Sequence, residues 1–491
     1  MKTLSKIDAG LAFEPAHKLA ALVRDREVSS LELLEHYLAR VKKYNPALNA
    51  IILLQEERAR AAARNADESL ARGDPPGPLH GVPISIKESI DWEGTPSTRG
   101  SPAYRDNIAS RSAVMVQRLE AAGAVIFGKS NVPLMLQDWQ TFNEIYGTTN
   151  NPWDVSRVPG GSSGGGAAAV AAGLTGMELG TDIGASIRNP AHYCGIYGHK
   201  PTYGVVPWQG AQLPGSFAPS DLVVFGPLTR SAEDLDLAMQ VISGPSGLDA
   251  EGWSLTLPAP RKKSPGEYRV AVLLEHPCCA QDDHLTRQLA NAVDELARAG
   301  VKVDAGARPS VNLTRAHHLY LMLLRSATGA RVSDEAYARH QKGAAARQTS
   351  DSSYRAYIDR AVTVSHRDWW NMHNEREGMR LVWAEFFKDY DFLLCPTAAS
   401  TAFPHDHAGE RPERTIPVNG GKESTTDQLF WAGLSSVVNL PAALAPVGLA
   451  GDGLPCGLQI VGAEMQDRAC IEFARLVGEV TGGYRPPPGY D

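Results

Sequence analysis

The 491-residue sequence predicts an α/β fold, a sheet with helices packed on its faces. Three stretches carry that reading. Residues 82–87 (VPISIK) alternate apolar with small or polar side chains, the two-residue period of a strand. Residues 112–122 have helical character, Gly123 suits a helix C-cap, and residues 124–127 follow as a short apolar strand. Residues 268–274, 282–299 and 301–303 then give strand, helix and strand, with Gly300 as the stop, a βαβ-like unit.

The remaining elements follow in order. Ser29 and Glu32 form a capping-box pattern, and Leu31, Leu34, Leu38 and Val41 continue at helical spacing until Asn45-Pro46 is expected to end the helix. Residues 55–71 read as a second helix, and a Gly/Pro turn at 73–78 leads into the first strand. Residues 174–179 and 223–225 suggest further strands, and 232–242 a helix. The Gly/Ser/Pro-rich stretch 243–265 is the best internal break. Residues 313–385 are polar and helical in pattern, 391–394 form a strand, and 411–422 are expected to be loop. Residues 434–447 and 455–461 return to sheet character before a final helix at 467–480.

Composition narrows the function. A hydrophobic content of 43% and a charged content of 21% are ordinary for a globular protein, and a net charge of -7 gives no electrostatic case for nucleic acid as a partner. The six cysteines form no CxxC pair, so neither zinc nor a disulfide framework is indicated, and Cys194 reads as core. The N-terminal stretch is interrupted by Asp8 and Glu14, and no run approaches the roughly 18 apolar residues of a spanning helix, so no membrane partner and a cytoplasmic location are expected. His405-Asp406-His407 lacks a third ligand at helical spacing and reads as solvated loop. Trp139, Trp208 and Trp369-Trp370 suit either core or pocket.

Residues 159–188 (PGGSSGGGAAAVAAGLTGMELGTDIGASIR) stand apart, with two Gly-flanked serine turns joined by a small-residue segment. Glycine serves where the main chain is approached closely or φ is positive. A phosphate-binding loop is a weak reading because the Gly-Lys-Ser/Thr ending is missing. Residues 161–165 satisfy G-x-S-x-G, but the preceding 150–159, with two prolines, make a poor strand for a nucleophile elbow. A serine activated by a neutral lysine remains, and the residues alone do not choose among Lys87, Lys129 and Lys200.

Residues 160–202 closely resemble the signature of the amidase signature family. So do 81–87 (GVPISIK), 128–133 (GKSNVP), 147–152 (GTTNNP) and 453–462 (GLPCGLQIVG). The resemblance implies a large mixed twisted sheet with helices on both faces, forming one domain over 1–491. Within it lie a helical region at 1–72, a signature core at 79–243, a variable substrate-pocket region at 244–389 and a return to the core at 390–491. It implies a cofactor-free hydrolase of small-molecule amides, with esters, anilides and carbamates as related substrates, and a homodimer. It places the nucleophile on Ser186, a bridging serine held through a cis peptide bond on Ser162, and the base on Lys87. The backbone N–H groups of Ile183, Gly184, Ala185 and Ser186 become the oxyanion donors, and Leu136 lines the acyl pocket. Asp182 and Arg188 are expected to brace the turn. Ala185 stands where the family usually has glycine, and its methyl is expected to narrow the pocket rather than strain the backbone. The same signature occurs in the amidase component of tRNA amidotransferases, and a non-catalytic binding protein on this scaffold is the third reading.

Overall fold

The computed structural model describes residues 9–490; Asp8, one of the two residues that break the N-terminal apolar run, lies outside them. Eleven strands form one sheet: β1 (Ile51–Leu54), β2 (Pro83–Lys87), β3 (Val125–Ser130), β4 (Glu178–Asp182), β5 (Tyr197–Lys200), β6 (Val224–Thr229), β7 (Arg269–Val272), β8 (Lys302–Asp304), β9 (Phe392–Cys395), β10 (Ala442–Leu449) and β11 (Pro455–Gly462). Their order is β1-β3-β2-β4-β6-β5-β10-β11-β9-β7-β8. β2 is parallel to both β3 and β4, β7 is parallel to β8 and β9, and the remaining neighbours are antiparallel. The expected βαβ unit is therefore present as β7, the helix Asp283–Arg298 and β8.

Both faces of the sheet are covered, and the two-residue period distributes the side chains. Leu394, Leu458 and Ile460 enter one apolar cluster with the helices Ala232–Ile242, Asp283–Arg298 and Asp467–Thr481. Their strand neighbours Leu393, Cys395 and Val461 enter another, with the helix Leu429–Ser436. Each such Leu or Ile contributes about 1.5–3 kcal/mol by its burial. Among the described residues no helix is long and apolar enough to cross a membrane.

Three expectations are corrected. The first long helix, α1 (Ser30–Leu48), opens on the expected capping box but carries Pro46 inside its last turn. The chain leaves the helix three residues later: Asn49 closes it in the left-handed conformation, and the Asn45 side chain accepts the N–H groups of Ala50 and Ile51 beyond the cap. Within 411–422 the chain forms a hairpin, Thr415–Val418 with Gly421–Ser424, turned by Asn419-Gly420 with both φ angles positive. Residues 434–447 divide between the helix Leu429–Ser436 and β10, because a fully buried apolar run carries no period to tell helix from strand.

Candidate active site

Lys87 is the last residue of β2 and is fully buried. Parallel pairing on both sides leaves β2 central and dry, so the burial pattern is continuous rather than alternating. Lys87 Nζ lies 2.7 Å from Ser162 Oγ, 2.9 Å from Ser163 Oγ and 2.8 Å from Thr181 Oγ1. A neutral amine has two hydrogens and one lone pair, so three hydroxyl partners match it without remainder. Burial lowers the Lys87 pKa to about 7; Asp182 and Glu178 pull it upward, and Arg99 pushes it further down. Glu88, its sequence neighbour, instead accepts the backbone N–H groups of Thr98 and Arg99.

Lys129 and Lys200 are buried too, and burial lowers them to about 8 and about 7. Electrostatics therefore does not select among the three lysines. Position does: Lys129 reaches Pro96 O and Ser97 Oγ, and Lys200 reaches Pro201 O and Leu440 O.

Ser162 precedes helix α2 (Gly164–Ala171), and the Gly161–Ser162 peptide bond is cis. The turn approaches its surroundings so closely that glycine is required. A Cβ on Gly161 would stand 2.4 Å from Asp138 O, and one on Gly164 2.2 Å from Thr141 Oγ1. Ser186 lies in the short turn between β4 and helix α3 (Arg188–Cys194), so a strand-turn-helix context exists here rather than at Ser162. Ser163 N donates to Ser186 O at 3.1 Å, joining the two serine turns.

The Ser186 turn is braced on every side. Asp182 and Arg188 form the expected ion pair at 2.9 Å with neither side chain exposed. Burial alone would raise the Asp182 carboxyl, but Arg188 beside it holds it below the usual range. Two aromatic residues complete the brace: Trp139 Nε1 donates to Gly184 O at 2.8 Å, and Tyr320 Oη donates to Ile183 O at 2.9 Å. Tyr320 comes from the helix Leu313–Gly329, within the region the sequence assigns to the substrate pocket, and nothing local marks it.

Ala185 departs from expectation twice. Its φ is +65°, so the backbone does occupy the left-handed region, and its methyl packs into the apolar cluster with Trp139, Tyr193 and Tyr320 instead of lining the cavity. Its N–H donates to Asp182 Oδ1 at 2.9 Å, which removes it from the set of available oxyanion donors. The N–H groups of Ile183, Gly184 and Ser186 donate to no acceptor among the described residues.

A cavity of about 750 Å³ opens over Ser162, Thr181, Ile183 and Ser186. Leu136 and Trp208 line it, whereas Trp139 is structural and Trp370 is exposed. Most of the remaining wall comes from the irregular segment 203–223; the 244–389 region supplies only Ser246, Asp249, the end of the helix Leu313–Gly329 at Ala327 and Thr328, and Ala330 and Arg331 just beyond it. Among the described residues no three His, Cys, Asp or Glu side chains gather as a metal site.

Fold and cluster together define a mixed α/β protein built around a buried lysine and two serines at a cavity floor. The chain belongs to the amidase family, whose profile matches residues 32–471. It is 32% identical over 469 residues to the indoleacetamide hydrolase of Bradyrhizobium diazoefficiens, covering 93% of this chain and 84% of that protein. It is 34% identical over 504 residues to one component of the glutamyl-tRNA(Gln) amidotransferase of Anaeromyxobacter sp. (strain K), covering 95% of this chain and 96% of that one. Among solved structures, 6-aminohexanoate cyclic dimer hydrolase complexed with substrate aligns with a TM-score of 0.80 at 27% identity, over 98% of this chain and 100% of the other.

Proposed function

We propose that this protein hydrolyses small-molecule carboxylic amides through an acyl-enzyme on Ser186, with Ser162 relaying the proton and Lys87 as the base. One observation carries the reading: the fully buried Lys87 amine touches Ser162 Oγ, and Ser162 and Ser186 share the floor of one cavity. Ser186 Oγ attacks the carbonyl carbon as its proton passes to Ser162 and that of Ser162 passes to Lys87. The oxyanion faces the N–H groups of Ile183, Gly184 and Ser186, and each such donor is worth about 3–4 kcal/mol in the transition state. Collapse breaks the C–N bond, and the proton returns along the same path to the departing amine. Water then attacks the ester with the same base.

Proteins named as hydrolases of indoleacetamide and of the 6-aminohexanoate cyclic dimer support this class of substrate. A cavity of this size accepts a medium-sized organic amide, and anilides, esters and carbamates pass through the same tetrahedral intermediate. Fluorophosphonate labelling followed by peptide mass spectrometry tests the nucleophile: the adduct belongs on Ser186, and an adduct elsewhere in active protein contradicts the assignment. A panel of amides, esters and carbamates of graded acyl size, given to the isolated chain, tests the substrate class. Glutamine hydrolysis that appears only with a co-purifying partner would assign the chain to the amidotransferase group instead.

A further inference from the structure

We propose that Glu178 is a counter-charge that tunes the working protonation of Lys87, a positioning residue that acts through the base without touching substrate. The inference rests on the assignment of Lys87 as base. Glu178 opens β4 and is fully buried. Its carboxyl accepts hydrogen bonds from Ser85 Oγ on β2 and, at 2.5 Å, from Ser130 Oγ on β3. Ser85 is the register partner of Glu178 and stands two residues before Lys87, so Ser85 and Lys87 leave the same face of β2. Ser130 is in turn the register partner of Lys87. Helix α2 closes this face. A Cβ on Gly166 would lie 2.4 Å from Glu178 Cγ, and one on Gly180 would lie 2.9 Å from Ser163 Oγ, which itself touches Lys87. One compartment without solvent access thus holds a carboxyl, an amine and the hydroxyls of Ser85, Ser130 and Ser163.

The other charges near Lys87, including Asp182, which favours its protonation more strongly than Glu178 does, are also held by other partners. Asp182, also on β4, is paired with Arg188 and accepts the N–H groups of Ala185 and Ile187. Glu88, beyond the end of β2, holds the Thr98 and Arg99 backbone, and the Arg99 guanidinium opposes protonation of Lys87. Helix α2 (GGGAAAVA) contributes no ionisable side chain. Glu178 forms no ion pair among the described residues, and Lys87 is the charged group acting on it. Burial raises Glu178 to about 7 while its two hydroxyl donors and Lys87 oppose that rise. Burial alone makes Lys87 easy to deprotonate but a poor acceptor for a serine proton. A carboxylate on the same face restores its basicity to the range where proton transfer is efficient.

The test is the pH dependence of kcat/KM on a neutral amide for wild type, Glu178→Gln and Glu178→Asp. Glutamine keeps the shape and removes the charge. The expected result is an acid limb moved to lower pH by about one to two units with a reduced plateau, the shift typical of losing a nearby opposite charge. Glu178→Asp should leave the limb within about half a unit of wild type, because the charge is kept. A folded, active Glu178→Gln with an unmoved limb overturns the inference. If that variant does not fold, infrared spectroscopy of wild type carrying 13C-glutamate decides. The carboxylic-acid carbonyl band of a buried glutamate should fade over the pH range of the acid limb, and a band that persists through it overturns the inference. Near-normal turnover in Lys87→Ala is a different result and removes the base assignment itself.

Discussion

The ends of β2 and β5 invite comparison. Each strand finishes on a lysine with no more than 1% of its surface exposed, and burial lowers each to about 7. Their partners differ. Lys200 donates to two carbonyls, Leu440 O at 2.7 Å and Pro201 O at 3.0 Å, which can only accept. Lys87 meets three hydroxyls, which can both give and take a hydrogen. Burial prepares an amine for neutrality at both sites, but only the hydroxyl-lined one offers a proton to remove. A lowered lysine pKa is a property of the dry sheet; chemistry arises where that amine meets exchangeable protons.

The sharpest way to break the comparison is to remove the groups proposed to react. Ser186→Ala should reduce turnover by about 10⁶-fold, the scale of losing a nucleophile that acts as part of a unit, and abolish fluorophosphonate labelling. Lys87→Ala should reduce kcat by about 10²–10⁴-fold with an unchanged far-ultraviolet circular dichroism spectrum, the loss of a general base. Steady-state assays that find Lys87→Ala within a few-fold of wild type would return Lys87 to the structural class that Lys200 occupies.

The pH profile sharpens the same contrast. Lys87 must be neutral to accept a proton, and its lowered pKa is about 7, so the amine is increasingly protonated as pH falls through that value. The kcat/KM should therefore fall about tenfold per unit on the acid side and level off above it. Lys200 gives the control. Lys200→Met leaves Pro201 O and Leu440 O without this donor, at a cost of about 1–3 kcal/mol for each carbonyl left unsatisfied. Urea unfolding should register that loss while the acid limb keeps its position.

The smallest effect is expected at Ala185. Glycine there relieves about 1–2 kcal/mol of left-handed backbone strain. It also loosens the unfolded chain by about 0.5–1 kcal/mol and removes one buried methyl worth about 0.8 kcal/mol. Ala185→Gly should change stability by less than about 1 kcal/mol. It should leave the preference among acyl chain lengths unchanged, because the methyl does not line the cavity. A widened acyl preference in that variant would revive the pocket-narrowing role expected from sequence.

Much of this is legible without coordinates, and the reasons are physical. The helices Ser30–Leu48, Asp283–Arg298 and Asp467–Thr481 follow from apolar spacing, with a side-chain cap at the start of the first two, signals local to a few residues. The glycines around Ser162 announce a crowded turn, and a Cβ there does collide with neighbouring backbone and side chains. The hairpin at Asn419-Gly420 carries a local signal, two residues suited to positive φ, that its polar surroundings obscure. The braces from Trp139 and Tyr320 carry none: Tyr320 meets Ile183 across 137 positions.

By itself the sequence determined most of the longer helices and several strands, the glycine-serine turns and the likeness to the amidase signature, because each is written in neighbouring residues or in motifs kept in order. Tertiary structure decided that the lysine singled out by the family resemblance touches Ser162 Oγ while Lys129 and Lys200 do not, that the Ala185 amide is already bound by Asp182, and that the cavity wall is built mainly from 203–223. It also placed a carboxyl and an amine on one closed face of the sheet, where the lack of solvent makes each sensitive to the charge of the other. The lysine–serine contact and the carboxyl–amine placement depend on strand order and register, which bring together side chains 75 and more positions apart.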